Sequence, residues 1–388
     1  MSYNIELLKK NDIGQFRKLV NHAFPADVPF EKTWPHICLD RRRSNTKHLG
    51  IRHKGRIVSH VGFLPAKMKL PGAALNIAGI GGVATYKEYR GKGFMKLQLN
   101  YAENLMNSGD YDISWLGGDR KRYGYFGWEN GGRLMEYCVT ERSTQGVDLS
   151  GHTYRKYSGN IDDLIEIIKM HERDGIGLKR TLTDYKLYLG RLGRDTIIAY
   201  SGKAPVAYIS IMKSKKNIKT GEINEFGGNL TALKKLFRYV IESYKFGKIT
   251  VYAPPFYSRY KELLVAISEN WKLHAIDGMI KIINLRSTLN KFRGQMNAKI
   301  KGLGLKDVRI TLEVPELNQK VTLEIGKTVK IVNNDIDATR KISLSRREMV
   351  RFLFGLSKPS DEFDLGPEYS VLNTIFPLDI YWWRLEVL

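Results

Sequence analysis

The chain has 388 residues, of which 43% are hydrophobic and 27% charged, a composition typical of a soluble globular protein of two or three domains. No apolar run approaches the length of a membrane span, and the start MSYNIELLKKND lacks the apolar core of a signal peptide, so we expect a cytoplasmic protein. The two cysteines form no C-x-x-C pair and the eight histidines show no metal-type spacing, so we expect no bound metal.

The net charge of +23 is the most unusual global property of the chain. Such a field would attract phosphates, nucleic acid or acidic membrane surfaces, and it would repel polycations. The basic residues are nevertheless scattered among acidic ones, as on an ordinary soluble surface. Nucleic acid therefore stays open as a partner but is not favoured.

The N-terminal elements are predicted from apolar spacing and capping residues. A short strand over residues 5–8 comes first, and Asn11 or Asp12 can cap the helix that follows. Apolar residues of this helix recur at helical spacing: Ile13, Phe16, Leu19, Val20 and Phe24. Phe30, Trp34 and Cys38 have the same spacing and predict a second short helix within residues 27–39.

Three strands then lead to the most distinctive stretch of the sequence. Two of them, over residues 48–52 and 56–63, flank a Lys54-Gly55 turn, and the third follows Pro71 and runs through the residues before Thr85. After a glycine turn, a helix places four apolar residues on one face: Phe94, Leu97, Tyr101 and Leu105. A short strand over residues 112–116 follows.

The turn Arg90-Gly91-Lys92-Gly93 joins a strand to this helix, and such a turn presents unpaired backbone N–H groups and the positive end of the helix dipole. It predicts a phosphate-binding loop, although an ordinary surface turn has the same composition. The spacing excludes a P-loop, because no Gly-Lys-Ser/Thr follows, and it excludes a dinucleotide fingerprint, because there is no G-x-G-x-x-G.

From about residue 154 a similar order of elements begins again, but residues 227–230, at the place of the Arg90–Gly93 turn, have no Arg-x-x-Gly-x-Gly pattern. It comprises a helix over 162–171, strands over 196–199 and 205–212, a strand over 222–228, a helix over 231–244 and a strand over 248–253. Beyond residue 285 the pattern changes to alternating strands over 308–314, 320–325, 328–332 and 340–344, and then to a helix capped by Ser345.

The stretch from Ile80 to Trp128 resembles the GCN5-related N-acetyltransferase (GNAT) superfamily, in which an Arg-x-x-Gly-x-Gly/Ala turn holds the pyrophosphate of coenzyme A. Arg90, Gly93 and Met95 match this pattern, with Met95 in place of a small residue. A later Tyr-x-x-x-Gly-Phe segment is matched by Tyr123 and Gly127, with Trp for Phe. Together with the chain length, these motifs resemble the Eis-like (enhanced intracellular survival) acetyltransferases.

The resemblance implies an α/β fold with mixed sheets: tandem GNAT-like domains followed by a sterol-carrier-protein-like α+β domain. It implies a GNAT domain with the acetyl-CoA site over residues 1–150, a degenerate GNAT-like domain over 151–285, and the third domain over 286–388. The C-terminal tail of that domain, apolar and aromatic in sequence, would dock at the active site. The resemblance also implies a homo-oligomer, with hexamers among related proteins.

The resemblance further implies acetyl-CoA as cosubstrate and assigns the residues that bind it: Val83 and Thr85 through their backbones, and Arg90, Gly91, Lys92, Gly93 and Met95 at the pyrophosphate. Tyr123 would protonate the leaving thiolate, since a phenol has a pKa of about 10. The alternative role for Tyr123 is that of a packing tyrosine, which its position in the matching segment makes the less favoured one. Asp27 and Trp34 would line the acceptor pocket, with plain core or surface roles as the alternative. The carboxylate of Leu388 would accept the amine proton, with Glu386 as a second candidate.

The predicted function is acetyl-CoA-dependent transfer of an acetyl group to a primary amine of a small molecule or peptide. Two alternatives stay open. An aminoacyl-tRNA-dependent peptidyltransferase also uses tandem GNAT-like domains and would suit a basic surface, although the intact glycine turn argues against it. A sensor of coenzyme A or lipid would need no catalysis.

Overall fold

The computed structural model describes residues 3–38, 46–213, 219–256, 258–332 and 340–387. They form two compact units. The first comprises residues up to 132 together with 276–380, and the second comprises 133–275 together with 381–387. Each unit therefore combines segments that are distant in sequence.

The first unit opens with strands and helices close to those predicted. In chain order they are β1 (Ile5–Leu7), α1 (Ile13–Ala23), α2 (Phe30–Thr33), β2 (Lys47–His53), β3 (Arg56–Leu70), β4 (Ala73–Thr85), α3 (Phe94–Asn107), β5 (Ile113–Leu116), α4 (Arg120–Gly124) and β6 (Glu129–Asn130).

The second unit repeats the order of strands and helices. Its elements are β7 (Leu134–Thr140), β8 (Thr153–Lys156), α5 (Ile161–Asp174), β9 (Gly177–Leu178), α6 (Leu182–Leu189), β10 (Arg194–Ser201), β11 (Ala204–Lys213), β12 (Thr220–Gly228), α7 (Leu230–Tyr244), β13 (Lys248–Ala253), α8 (Ser258–Ala266) and β14 (Asn270–His274).

The chain then returns to the first unit. The remaining elements are β15 (Met279–Ile282), α9 (Leu285–Ile300), β16 (Val308–Val314), β17 (Gln319–Ile325), β18 (Val329–Val332), β19 (Lys341–Ser343), α10 (Arg346–Phe354) and α11 (Leu372–Ile375). The elements that the sequence analysis did not predict include β7, α6, α8, β14, β15 and α9.

The first sheet runs in the order β1-β2-β3-β4-β5-β15-β6, and the second in the order β14-β7-β13-β12-β11-β10-β8. The strands β4 and β5 of the first sheet are parallel, as are β12 and β13 of the second, and in each pair a helix joins the two strands. A smaller sheet, β18-β17-β16-β19, carries α9 and belongs to the first unit. The predicted α/β class with mixed sheets is confirmed.

Two strands lie in sheets other than those that the predicted domain limits suggest. β7 pairs with β13 in the second sheet, and β15 pairs with β5 in the first. The three domain boundaries and the sterol-carrier-like character of residues 286–388 stay predictions.

The apolar face predicted for α3 is wrong. Leu97 and Tyr101 are 42% and 39% exposed, whereas Gln98 is fully buried. The reason is that the Gln98 amide has partners inside: its Nε2 donates to the Leu49 carbonyl at 2.8 Å, and its Oε1 accepts from the Ser59 hydroxyl at 2.6 Å. A paired polar group can be buried at little cost, so hydrophobic spacing alone misassigned the face.

Candidate active site

The parallel strands β4 and β5 pair over only part of the length of β4, and the space beside the rest of β4 is here called the cleft. Their ladder joins Ile77–Ile80 to Ile113–Leu116 and stops there. β5 ends at Leu116, whereas β4 continues for five more residues to Thr85. The edge of β4 that faces β5 is therefore unpaired beyond Ile80, and an extended ligand can hydrogen-bond to it as a strand would.

A β-bulge lies in the free part of β4. Gly62 of β3 pairs with Gly81 and His60 pairs with Ala84, so two residues of β4, Gly82 and Val83, oppose one residue of β3. Gly82 has φ +60°, in the left-handed region that favours glycine. The bulge turns the backbone of Gly82 and Val83 out of the regular ladder at the mouth of the cleft.

The turn Arg90-Gly91-Lys92-Gly93 lies between the end of β4 and the start of α3, and it is exposed. Gly91 and Gly93 have φ +80° and +76°, and Gly93 is the N-cap of α3. A backbone bond from the Leu97 amide to the Gly93 carbonyl, 3.0 Å long, opens the helix. The amides of the first turn precede that bond and have no partner within the helix, so they can receive an anion together with the Arg90 and Lys92 side chains.

Glycine at 93 is required by backbone conformation and not by crowding, because a Cβ there would meet no heavy atom within 4 Å. We expect Gly93→Ala to lower the free energy of unfolding by about 1–2 kcal/mol, the cost of a left-handed non-glycine residue. Gly93→Asn should recover part of it, since asparagine tolerates this region. Urea unfolding measures both changes.

The control for this prediction is Gly14→Ala. Gly14 is a helical glycine of α1 whose Cβ would also meet open space, and its φ is not positive. That substitution should stabilise the protein by about 0.5–1 kcal/mol. Equal effects at the two positions would contradict the conformational explanation.

Tyr123 is presented from α4, whose first turn is fixed by Asp119: its side chain accepts from the Arg122 amide at 2.8 Å. The Tyr123 ring is 6% exposed and packs edge-on against Trp128, with ring centroids 6.4 Å apart. Gly118 makes room for it, because a Cβ at 118 would lie 2.5 Å from the ring. Burial raises the pKa of Tyr123, so its hydroxyl stays protonated and can act as an acid.

The structure brings the predicted cofactor residues into one region. Val83 and Met95 pack against the same hydrophobic cluster as Tyr123. Arg90 Nε donates to the Thr85 carbonyl at 3.3 Å, and the Thr85 hydroxyl lies 2.8 Å from the hydroxyl of Ser59. The end of β4 and the glycine turn are therefore tied to each other and to β3.

The two predicted acceptor residues lie apart from that cluster. Trp34 is half-buried and packs with Phe30 in the cluster that contains α1, with ring centroids 5.3 Å apart. Asp27 is exposed in the segment between α1 and α2. Their role as acceptor contacts stays a prediction, and Leu388 lies outside the described residues.

Two buried histidines support the bulge. His60 is fully buried and His48 is 6% exposed. His60 Nδ1 lies 2.8 Å from the Gly82 carbonyl oxygen, and His60 Nε2 lies 3.0 Å from His48 Nδ1. Burial lowers the pKa of His48 to about 4, and burial together with the neighbouring His48 lowers the pKa of His60 to about 3, so both rings are neutral.

The buried histidine pair predicts that the free energy of unfolding falls in acid. Below the ordinary histidine pKa of 6.5, the unfolded chain binds protons that the folded protein does not, so stability falls as pH falls towards 4. Each histidine should contribute about 1.4 kcal/mol per pH unit in that window. Urea unfolding between pH 7 and 5 should show a smaller slope for His48→Asn than for the wild type. The exposed His274→Asn serves as control, and an unchanged slope in His48→Asn would refute the assignment.

In the second unit the corresponding cleft is filled by the chain itself. The β12–β13 ladder ends at Ile223 and Val251, and β12 continues to Gly228. Beyond that point the segment Tyr381–Val387, here called the tail, packs against β12. The rings of Trp383 and Phe226 lie 5.4 Å apart, and Trp383 Nε1 donates to the Ile176 carbonyl at 3.0 Å.

Glu386 anchors the tail and is not a candidate base. Its side chain has no exposed surface. Oε1 accepts from the Leu178 amide at 2.9 Å and from Arg180, and Oε2 accepts from the Trp383 amide at 2.9 Å. A carboxylate so enclosed cannot reach an acceptor amine, so the second candidate raised for the base is wrong.

Comparison with known proteins identifies the first domain. The family model described as an acetyltransferase (GNAT) domain matches residues 4–131, which span β1 to β6 and so include the cleft, the bulge and the glycine turn. Residues 4–131 are a GNAT domain. This places the protein among the acyltransferases. A search of curated proteins finds no match.

Solved structures share the whole fold at low identity. A probable N-acyltransferase from Enterococcus faecalis is 17% identical, with a TM-score of 0.73 over 98% of this chain and 97% of that one. A GCN5-related N-acetyltransferase from Anabaena variabilis is 15% identical, with a TM-score of 0.72 over 96% of each chain. Eis1 from Mycobacterium abscessus is 10% identical, with a TM-score of 0.65 over 99% and 98%. The GNAT domain is therefore part of a fold also found in Eis-type proteins.

The described residues contain neither a metal-ligand cluster nor a membrane-spanning helix. No group of histidine, cysteine, aspartate and glutamate side chains there could hold a metal ion. Within the same ranges, no helix has the length and apolar character needed to cross a membrane.

Proposed function

We propose that the protein transfers an acetyl group from acetyl-CoA directly to a primary amine. The proposal is supported by the order of features along one stretch of chain: the bulge of β4 comes first and the glycine turn follows it. Tyr123 belongs to the same hydrophobic cluster as Val83 and Met95. An extended pantetheine arm fits the unpaired edge of β4, and a pyrophosphate fits the open amides before Leu97.

The chemistry assigns one task to each group. The amine attacks the thioester carbonyl, and the C–S bond breaks as the new C–N bond forms. Tyr123 gives its hydroxyl proton to the leaving thiolate. Backbone amides of the bulge stabilise the developing negative charge on the carbonyl oxygen, because they are fixed before the reaction. The terminal carboxylate of Leu388 accepts the amine proton.

The first test is acetyl-CoA binding by calorimetry, followed by release of free thiol with a panel of primary amines. We expect Arg90→Gln and Lys92→Gln each to weaken acetyl-CoA binding about tenfold, the size of one charge-assisted contact. Lys54→Gln is a matched control, because Lys54-Gly55 is a second basic glycine turn with positive φ, at 47° and 78°. No acetyl-CoA binding by the wild type would refute the proposal, and salt-sensitive tRNA binding in its place would favour a peptidyltransferase.

The role of the terminal carboxylate as the base is tested with a variant in which this carboxylate lies one residue earlier in the chain. Deleting Leu388 shortens the chain by one residue, so the terminal carboxylate moves back to Val387. We expect kcat to fall about a hundredfold, since general-base catalysis contributes at least that much. Leu388→Ala keeps a carboxylate at the same position and should retain kcat within about threefold. Equal activity of the two variants would remove the terminal carboxylate from the mechanism.

The acceptor, a small-molecule or peptide amine, and self-association into a homo-oligomer are part of the proposal. The amine panel addresses the first, and sedimentation addresses the second.

A further inference from the structure

The buried histidine pair has a defined order of hydrogen bonds. The Gly82 carbonyl oxygen can only accept, so the proton in its 2.8 Å bond to His60 belongs to His60 Nδ1. In a neutral ring the other nitrogen is then an acceptor. His48 Nδ1 therefore donates across the 3.0 Å bond to His60 Nε2. His48 thus donates to His60, and His60 donates to the Gly82 carbonyl of the bulge.

Holding the Gly82 carbonyl also fixes the next amide. The peptide group is planar and trans, so the N–H of Val83 points opposite to the C=O of Gly82. His60 fixes one end of this plane, and the other end points away from His60. Gly82 and Val83 together oppose a single residue of β3, outside the regular one-to-one pairing, and the ladder with β5 has already ended at Ile80.

Packing holds the rings themselves in place. The Phe16 ring meets the His60 ring edge-on at 4.8 Å and the His48 ring edge-on at 5.5 Å. A Cβ at Gly82 would lie 3.5 Å from His60 and 3.2 Å from Ile37. The two imidazole rings are therefore packed tightly between Phe16 and the bulge.

We propose that His60, with His48 behind it, is a positioning residue for acetyl transfer: it orients the Gly82–Val83 peptide so that the Val83 N–H donates to the thioester carbonyl oxygen. The histidines touch neither substrate. They act on the rate through the direction of one amide, because a donor aimed at the developing oxyanion is effective only when its geometry is preset. The inference rests on the proposed acetyl transfer and deepens it.

The test compares two substitutions of His60. The amide nitrogen of asparagine occupies nearly the position of His Nδ1, so His60→Asn keeps the donor to Gly82, whereas His60→Leu removes it. We expect His60→Leu to lower kcat about a hundredfold with acetyl-CoA affinity changed less than about threefold. His60→Asn should recover at least tenfold of that loss. The exposed His274→Asn, in the second unit, is the control.

A spectroscopic readout separates orientation from general loss of structure. Acetyl-CoA labelled with ¹³C at the thioester carbonyl reports the strength of the hydrogen bond it accepts through the C=O stretching frequency. In the wild type the frequency should fall on binding. The shift should be absent in His60→Leu and present in His60→Asn, both measured on protein that still binds acetyl-CoA.

The outcomes are distinguishable. If the wild type neither binds acetyl-CoA nor releases thiol, the proposed function fails. If the wild type is active and His60→Leu keeps its kcat and its carbonyl shift, the positioning role fails while acetyl transfer stands. If His60→Leu and His60→Asn lose kcat and shift equally, the Nδ1 donor is not the cause and the inference is overturned.

Discussion

Replacing Arg180 by methionine is expected to lower the free energy of unfolding by about 3–5 kcal/mol, because it leaves two buried carboxylates without a counter-ion. The guanidinium bonds to Glu225 and, at 2.6 Å, to Glu386, and none of the three side chains has exposed surface. The Tyr208 hydroxyl also donates to Glu225 at 2.9 Å. Because the Glu225 side chain is fully buried, water cannot replace the guanidinium as its hydrogen-bond donor. Urea unfolding of the full chain measures the loss.

The pH dependence of the variant provides an independent check. Without the guanidinium, burial would raise the pKa of both carboxyls above their unfolded values, so the folded variant would bind protons more readily than the unfolded chain. Its stability should therefore improve, relative to the wild type, as pH is lowered from 8 towards 5. A deficit that does not change with pH would mean that lost packing, and not the buried charge, causes the effect.

Two control variants define the origin of the effect. Arg180→Met combined with Glu225→Gln and Glu386→Gln removes all three charges, and we expect it to recover most of the loss. Arg384→Met breaks a partly exposed ion pair with Glu222, 3.0 Å long, and should cost less than about 1 kcal/mol.

Replacing Tyr123 by phenylalanine is expected to lower kcat about a hundredfold to a thousandfold, with acetyl-CoA affinity unchanged. The hydroxyl is the proposed proton donor to the thiolate, and loss of a general acid costs at least two orders of magnitude. Affinity should hold because the ring keeps its packing against Trp128 and Gly118. Steady-state kinetics with an active amine and calorimetry with acetyl-CoA measure the two quantities.

Tyr125 provides a matched control for this experiment. It lies two residues further along the same segment and is 75% exposed. Tyr125→Phe therefore removes a tyrosine hydroxyl from the protein surface and leaves the core unchanged. We expect its kcat to stay within about threefold of the wild type. Should Tyr123→Phe keep full activity, the residue is a packing tyrosine and another group protonates the thiolate.

The sequence predicted those parts of the site that depend on local signals. A glycine turn between an apolar strand and an amphipathic helix fixes its own geometry, and the structure places Gly91 and Gly93 in left-handed conformations. The aromatic residues near the C-terminus predicted a docked tail, and Trp382 and Trp383 are buried. That this tail serves the active site stays a prediction.

The parts that were missed depend on contacts between distant residues. The bulge exists only in the pairing of β4 with β3, so nothing near Gly82 in the sequence indicates it. His48 and His60 are twelve positions apart, and their spacing carries no signal until the two strands are placed side by side. Strand β14 was missed because all five of its residues are exposed, so it lacks the alternation of a half-buried strand.

The tail has a consequence for how the protein is made. The second unit contains residues 133–275, yet its last buried pieces are residues 381–387. Because chains emerge from the ribosome N-terminus first, Arg180 and Glu225 must wait for their partner until Glu386 itself has been synthesised. The second unit can therefore finish folding only once residues 381–387 have left the ribosome.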